Sequence, residues 1–151
     1  MTTSTSIRTA SVTLAEVLLL RERVLHADSP AGRSELRSDR KADTLHLGAF
    51  LGNELIGVST IARANPVPEL TWRLCEMAIR AGWRGHGIGT ALAEKCIDHA
   101  KLAAGRMVWC SARESAFGFY RSIGFERVGE LFSRADTIDE RYGRRVPYLP
   151  N

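Results

Sequence analysis

The pattern of apolar and polar positions divides the chain into alternating strands and helices. Residues 6–11 read as a short first strand, and residues 13–25 place apolar side chains at helical spacing. Thr13 is followed three residues later by Glu16, a capping-box pattern that predicts the start of this helix. TLHLGAFL and ELIGVSTIAR flank the turn pair Gly52-Asn53, which predicts a β-hairpin.

The second half of the chain continues this alternation. LTWRLCEMAIR predicts one longer strand, residues 89–104 a helix that ends at Gly105, and RMVWCSA another strand. SAFGFYRSI predicts a short helix and FERVGELF a strand, and the prolines in YGRRVPYLP predict an edge strand. The polar residues 26–43 are expected to form a long loop. This order predicts a single mixed α/β (α+β) domain over residues 1–151 with a mostly antiparallel sheet.

Composition fits that prediction and sets the cellular context. The chain has 151 residues, 44% of them hydrophobic, which suffices for one core without disulfides or metal. Cys75, Cys96 and Cys110 are odd in number and lack metal-ligand spacing, so we expect reduced thiols, no metal site and a cytoplasmic location. No apolar run approaches the ~20 residues of a membrane span, so no membrane partner is expected.

The net charge of +4 raises the question of a nucleic-acid partner. The basic residues are scattered, apart from loose clusters at residues 33–41 and 141–145, and neither cluster is interleaved with aromatics. Solvated surface charge is the favoured interpretation, with no nucleic acid as partner. A basic nucleic-acid-binding α/β domain is kept as an alternative.

The stretch RGHGIGTAL, residues 84–92, places glycines just before a predicted helix. A dinucleotide fingerprint would need glycine at Thr90, and a triphosphate loop would need a lysine that is absent here. Two interpretations remain for the loop alone. It is either an anion site formed by backbone N–H groups at a helix N-terminus, or a plain tight turn.

Two motifs together resemble a known family. The first is R-x-x-G-x-G at Arg84, Gly87 and Gly89. The second, in SAFGFYRSIGFERVG, consists of Ala116, Tyr120, Gly124 and Phe125. In this order they resemble the GNAT superfamily of N-acetyltransferases, and the segment is similar to small bacterial GNAT proteins of undefined substrate. The resemblance covers nearly the whole chain and implies flanking helices around a sheet with a splayed central strand pair.

The resemblance implies that acetyl-CoA is the co-substrate. Main-chain groups of Met77, Ala78 and Ile79 would then contact the pantetheine arm. The pyrophosphate would be held by backbone N–H groups of Arg84, Gly85, His86, Gly87, Ile88, Gly89 and Thr90. Arg113 stands where many relatives have an asparagine that contacts the cofactor, so either it reaches a CoA phosphate or that contact is absent.

The resemblance also implies catalytic roles. Tyr120 would protonate the departing CoA thiolate, although it could instead pack in the core and only orient CoA. Glu76 is the carboxylate nearest the cofactor strand in sequence and is a candidate base, with an ion pair to Arg73 as the alternative. Cys75 and Cys110 are expected to be structural thiols, which favours direct transfer in a ternary complex over a ping-pong route.

The acceptor is expected to be a primary amine of a small molecule or peptide. In the resembled fold its site would be built from residues 25–43, 64–70 and 131–150. A catalytically silent acyl-CoA-binding regulatory module is an alternative function. A homodimer formed through edge strands is common in the family, and the sequence leaves that question open, as it does the identity of the acyl group.

Overall fold

The computed structural model describes residues 6–25, 36, 38–63, 71–127, 132–134 and 137–145. The strands are β1 (Ile7–Ser11), β2 (Leu45–Leu51), β3 (Glu54–Arg63), β4 (Thr71–Leu74), β5 (Ala78–Ile79), β6 (Met107–Arg113), β7 (Glu126–Arg127), β8 (Phe132–Arg134) and β9 (Thr137–Arg145). The helices are α1 (Leu14–Leu25), α2 (Ile88–Leu102) and α3 (Phe117–Ser122), the last preceded by a 3-10 turn at Glu114–Ala116. This mixed, mostly antiparallel arrangement with flanking helices confirms the predicted fold class.

The chain packs as two compact units, the first made of Met1–Ala62 with Glu76–Cys96 and the second of Arg63–Cys75 with Ile97–Asn151. None of the helices within the described ranges is long and apolar enough to cross a membrane.

In the first unit, β1, β2 and β3 form an antiparallel meander, and β5 pairs antiparallel with β3. The predicted hairpin is confirmed, with Gly52 at a φ of 59° in its turn. The capping box is confirmed as well, because the backbone N–H of Thr13 donates to Glu16 (3.0 Å) and that of Glu16 donates to the Thr13 hydroxyl (3.2 Å). Helix α1 buries Val17 and Leu20 against Val58 of β3.

The predicted long strand at residues 70–80 is wrong in its continuity. It is broken at Cys75–Met77 into β4 and β5, which have different partners. β4 runs parallel to β6, whereas β5 pairs with β3 through Gly57↔Ile79 and Val58↔Ala78. Because each half pairs with its own neighbour, a single straight strand cannot satisfy both ladders.

In the second unit, β9 pairs antiparallel with β6, and also with β7 and β8. The predicted edge position of the C-terminal strand is therefore wrong, since β9 lies between β6 and β7. The physical reason is that β9, described over Thr137–Arg145, contains no proline, so its backbone can pair on both sides. Residues 146–151 lie outside the described part.

Helix α2 ends at Leu102, and its last turn differs from the prediction. The N–H of Gly105 donates to the Ala100 carbonyl (2.7 Å) and that of Ala104 donates to Lys101 (3.0 Å), which is the hydrogen-bond pattern of a Schellman motif. The left-handed residue of this motif is Ala104, with a φ of 60°, rather than Gly105. Gly105 instead allows close packing, because a Cβ there would lie 2.7 Å from Trp72 Cδ1 and 2.8 Å from the Ala100 oxygen.

Candidate functional site

Residues 84–90 are called here the glycine loop. Two of its glycines are required by the conformation of the backbone. Gly85 and Gly87 both have a φ of 79°, in the left-handed region that other L-residues rarely adopt. A Cβ at either position would meet no atom within 4 Å, so crowding does not explain the glycines. The conformation itself demands them, and the loop backbone around His86 is exposed. Alternating left-handed residues of this kind turn backbone N–H groups toward a common point.

The start of α2 leaves donors available next to this loop. The helix begins at Ile88, so Gly89 and Thr90 lie in its first turn. The Gly87 carbonyl accepts the first helical bond, from Ala91 (3.1 Å), and the N–H groups before it have no intrahelical partner. The first turn of α2 contains no acidic residue, whereas α1 carries Glu16 at that place. The N-terminus of α2 can thus accept an external anion.

Two basic side chains flank the same backbone. His86 is exposed, and its Nδ1 donates to the Arg84 carbonyl (3.0 Å), since a carbonyl oxygen can only accept. Its ring lies 5.5 Å from that of Trp83. Arg84 is exposed, and Ile88 is buried below the loop, 2% exposed. The loop is therefore anchored by the buried side chain of Ile88 and stabilised by the His86–Arg84 hydrogen bond. The residues between them are exposed to solvent.

Close packing brings the predicted pantetheine strand to the glycine loop within the first unit. A Cβ on Gly57 would lie 2.8 Å from Ile79 and 3.1 Å from Ile88, so only glycine allows β3 to approach both. Ala78 is buried, Met77 and Ile79 are half-buried, and the Arg80 N–H donates to the Ile56 carbonyl (2.8 Å). The strand predicted to bind the pantetheine arm and the loop predicted to bind the pyrophosphate therefore both pack against β3.

Glu76 is half-buried in the break between β4 and β5, one residue before Met77. Its role as a base stays a prediction, as does the alternative of an ion pair with Arg73. Arg113 ends β6, where its backbone pairs with Asp139, and its side chain lies outside the described part.

Tyr120 lies in the second unit on α3 and is 8% exposed. Its ring makes edge contacts with Phe119 (5.1 Å between centroids) and Phe125 (5.5 Å), so the ring is part of the core, as the alternative interpretation held. Tyr120 is also one of the groups that lower the pKa of the buried Cys110 thiol on β6, against the larger effect of burial.

Cys110 itself is buried, 1% exposed. Burial raises the pKa of its thiol from an ordinary 9.0 to about 12, against smaller opposing effects of the Tyr120 hydrogen bond, the charge of Arg73 and the Tyr142 backbone. The guanidinium of Arg73 also lies over the Trp109 ring, 5.1 Å from its centroid. A thiol that keeps its proton at neutral pH is a poor nucleophile, which supports the prediction that Cys110 takes no covalent part.

A second polar cluster, in the first unit, was missed by sequence reasoning. Arg21 of α1 is fully buried and donates to both carboxylate oxygens of Asp39 (2.7 and 3.2 Å) and to the Thr60 hydroxyl (2.8 Å). His46 lies 2.7 Å from that hydroxyl through Nδ1 and 3.0 Å from the Asp39 carbonyl through Nε2. These four residues, called here the buried polar cluster, fasten the turn at residues 38–44 to α1 and the sheet.

The hydrogen-bond directions in the buried polar cluster follow from its partners. The Asp39 carbonyl can only accept, so His46 donates from Nε2. The Thr60 hydroxyl accepts from Arg21 and also shares a hydrogen bond with Nδ1 of His46. The sequence feature that could have indicated this cluster is Arg21, which follows Val17 at the spacing of the buried face of α1.

Within the predicted acceptor region 25–43, residues 26–35 and 37 lie outside the described part, as do 64–70.

The fold has close counterparts among solved structures. An aminoglycoside 6'-N-acetyltransferase complexed with coenzyme A superposes with a TM-score of 0.78, covering 95% of this chain and 99% of that one at 14% identity. That likeness shows the fold. The family model described as Acetyltransferase (GNAT) family matches residues 14–125, which include the glycine loop and Tyr120. The chain belongs to the GNAT acetyltransferase family.

Two curated relatives are similar in sequence. The uncharacterized N-acetyltransferase YitI of Bacillus subtilis is 28% identical over 127 residues, covering 81% of this chain and 84% of that protein. The N-alpha-acetyltransferase RimI of Mycobacterium tuberculosis is 31% identical over 87 residues, covering 56% of this chain and 53% of that protein. The chain is thus similar to N-acetyltransferases, as the motifs predicted.

Proposed function

We propose that this protein transfers the acetyl group of acetyl-CoA to a primary amine of a small molecule or peptide. The observation that carries the proposal is the glycine loop. Its left-handed Gly85 and Gly87 lead directly into a helix N-terminus whose first turn has no acidic residue, within a stretch that matches an acetyltransferase family. Backbone donors at such a place suit a pyrophosphate.

Three groups of residues are proposed to hold coenzyme A. Backbone N–H groups of residues 84–90 would hold the pyrophosphate, with the exposed Arg84 adding positive charge. Main-chain groups of residues 77–79 would hold the pantetheine arm, at and just before the two-residue strand β5. Arg113 remains a proposed phosphate contact.

In the proposed reaction the neutral amine attacks the thioester carbonyl directly. A carbon–nitrogen bond forms, the carbon–sulfur bond breaks, and Tyr120 gives its phenolic proton to the leaving sulfur. The proton released by the attacking nitrogen passes to Glu76 or to water and restores the tyrosine through solvent. The buried, protonated state of Cys110 supports this direct route over an acetyl-cysteine intermediate.

The relatives suggest which amines to test first. The name of the mycobacterial relative specifies α-amino groups, and the enzyme in the superposed structure is named for an aminoglycoside amine. We propose a cytoplasmic setting because Cys75, Cys96 and Cys110 are all thiols rather than halves of a disulfide.

The test is isothermal titration of acetyl-CoA into the purified protein, with desulfo-CoA and NADH as comparisons. Saturable binding of acetyl-CoA without NADH binding supports the cofactor site. Thioester consumption is then followed by ultraviolet absorbance with an alanine-terminated peptide, an aminoglycoside and a polyamine as acceptors. Binding with no turnover on any amine favours a silent acyl-CoA-binding module. An absence of binding at millimolar acetyl-CoA would contradict the acetyltransferase proposal, and salt-dependent gel shifts would then test the nucleic-acid alternative.

A further inference from the structure

Helix α3, which carries Tyr120, depends on its neighbours for its position. The helix has only six residues, Phe117–Ser122, and its N-cap is Ala116, which has no side-chain group to cap it. A helix this short is not stable through its own propensity, so packing must hold it in place. The strand that does so is β9, which belongs to the second unit, as α3 does.

The turn that ends α3 is bonded to the backbone of Tyr120 itself. The Phe125 N–H donates to the Tyr120 carbonyl (3.0 Å), and the Gly124 N–H donates to the Arg121 carbonyl (3.1 Å). With Gly124 at a φ of 91°, these bonds form a Schellman motif. The Phe125 ring lies 5.5 Å from the Tyr120 ring, which is the apolar contact that accompanies such a motif. The position of Tyr120 is therefore coupled to the turn at residues 123–125.

Arg144 of β9 attaches this turn to the sheet. Its Nη1 donates to the carbonyl of Ile123 (3.1 Å), the residue that follows the last one in the helix. Its side chain also lies alongside Gly124, since a Cβ there would be 3.5 Å from Arg144 Cδ and 3.6 Å from Arg144 Nε. Arg144 is half-buried and Ile123 is buried, so water competes less for this hydrogen bond than it does at an exposed site.

Tyr142 supplies a second set of contacts between β9 and α3. It lies two residues before Arg144 in the same strand, so the two side chains are on the same face of β9. The Tyr142 hydroxyl accepts from Arg121 Nη2 (3.2 Å), and the fully buried Tyr142 ring lies 5.2 Å from the ring of Phe117. β9 thus contacts α3 at its first residue and just beyond its last, which restricts movement of the helix along the sheet.

We propose that Arg144 and Tyr142 are positioning residues for Tyr120, and that they hold α3 so that the phenolic hydroxyl stays aligned with the leaving sulfur of CoA. This rests on the proposed function above, in which Tyr120 gives its proton to that sulfur. Arg144 and Tyr142 transfer no proton and form no bond to the acetyl group. Their effect is geometric, because a misplacement of about 1 Å at a reacting group can cost about 100-fold in rate.

The test measures kcat and KM with acetyl-CoA and whichever panel amine the wild type acetylates. Arg144→Met keeps the length of the side chain and removes its donors, so it should lower kcat about tenfold and change KM for acetyl-CoA less than about twofold. Arg144→Lys should stay within about threefold of the wild type, because an ammonium group can also donate to a carbonyl. Tyr142→Phe removes only the hydroxyl that Arg121 contacts, and it should lower kcat about threefold without loss of packing.

Two controls separate positioning from general effects on charge and stability. Arg106→Met makes the same substitution at an exposed arginine and should leave both kcat and Tm unchanged. Thr13→Ala removes the hydroxyl that caps α1 in the first unit. It should lower Tm by about 2–4 °C, much as Arg144→Met does, and leave kcat unchanged.

The deciding measurements are the double variants Tyr120→Phe/Arg144→Met and Tyr120→Phe/Tyr142→Phe. If the β9 residues act through the Tyr120 hydroxyl, neither second substitution lowers kcat further once that hydroxyl is gone. An equal fold loss in kcat in the wild-type and Tyr120→Phe backgrounds would overturn the inference, because the effect would then be purely structural. So would a kcat for Arg144→Met equal to that for Thr13→Ala.

The remaining outcomes separate the inference from the proposed function. Full activity of Tyr120→Phe, with the wild type acetylating its amine, would overturn the inference and leave the acetyltransferase function intact. A wild type that acetylates no amine of the panel would overturn the proposed function, and the inference with it.

Discussion

Arg21 and Asp39 form an ion pair in which both side chains are fully buried, with Nη1 and Oδ2 separated by 2.7 Å. The carboxylate also accepts from the Leu36 N–H (2.7 Å), and the guanidinium also donates to Thr60. Each charge is thus compensated by its partner and by further hydrogen bonds. Because the pair is buried, removing one partner leaves the other as an uncompensated charge out of contact with water, which strongly destabilises the fold.

Asp39→Ala should therefore lower the free energy of unfolding by about 3–5 kcal/mol. Urea denaturation measures this loss. Glu54→Gln is the control, since Glu54 pairs with Arg80 at a site where the side chains are 52% and 39% exposed, and it should cost less than about 1 kcal/mol. Adding Arg21→Met to Asp39→Ala should recover part of the loss by removing the uncompensated cation. Similar costs for Asp39→Ala and Glu54→Gln would contradict the role of burial.

The glycine loop offers a matched pair of substitutions. Gly87 and Gly52 both have positive φ, and a Cβ at either would meet nothing within 4 Å. Gly87→Ala and Gly52→Ala should each cost roughly 1 kcal/mol of stability, from the left-handed backbone alone. Only Gly87→Ala should weaken acetyl-CoA binding, at least about tenfold, since relaxing its φ would turn the N–H groups at the start of α2. Calorimetry and thermal melting together decide this. Equal affinities for acetyl-CoA in the two variants would argue for a plain turn.

Alkaline stability should report the Cys110 thiol. Its pKa is raised to about 12 in the folded protein, whereas an unfolded thiol ionises near 9. Between these values only the unfolded chain loses the proton, so this contribution to stability is complete below pH 9 and is lost as pH rises toward 12. The expected slope is about −1.4 kcal/mol per pH unit.

Urea unfolding at a series of pH values from neutral to moderately alkaline measures that slope. Other groups titrate in this range, so the informative quantity is the difference between the wild type and Cys110→Ala, which should shrink as pH rises above 9. Parallel pH dependences for the two proteins would mean that Cys110 ionises normally in the folded state.

The end of α2 should respond in opposite directions to two neighbouring substitutions. Ala104 has a φ of 60°, so Ala104→Gly should raise stability by about 1 kcal/mol, or about 2–4 °C in Tm. Gly105→Ala should lower stability by about 1–3 kcal/mol, because its Cβ would lie 2.8 Å from the Ala100 carbonyl oxygen and 2.7 Å from Trp72. Thermal melting compares them, and a loss of stability in Ala104→Gly would show that the strain is absent.

The features that the sequence predicted well are those set by local chemistry. The Thr13–Glu16 capping box and the Gly52-Asn53 turn involve residues at most three apart, so short-range patterns suffice. The unusual backbone of the glycine loop could also be predicted, because left-handed conformations favour glycine, as found at Gly85 and Gly87. The missed features depend on distant partners. The strand break at Cys75–Met77 follows from pairing with β3 and β6, and the internal place of β9 follows from strands far away in sequence.

The candidate site also contains some features that local sequence predicted and others that depend on distant partners. Tyr120 was predicted through a motif, but its burial, at 8% exposure, depends on packing that no spacing rule gives. The buried polar cluster joins Arg21, Asp39, His46 and Thr60 from four separate segments. Its charged members belong to residue types that usually lie at the surface, and their burial appears only after folding.

The burial of all three thiols makes the native chain behave toward maleimides almost as a cysteine-free protein. A fluorophore attached to Ala81→Cys, at an exposed turn position three residues before Arg84, would therefore label one site without removing any native cysteine. Such a probe would convert the arrival of a nucleotide cofactor into an optical signal. Candidate acceptors could then be sorted by how they alter cofactor dissociation, before any product has been identified.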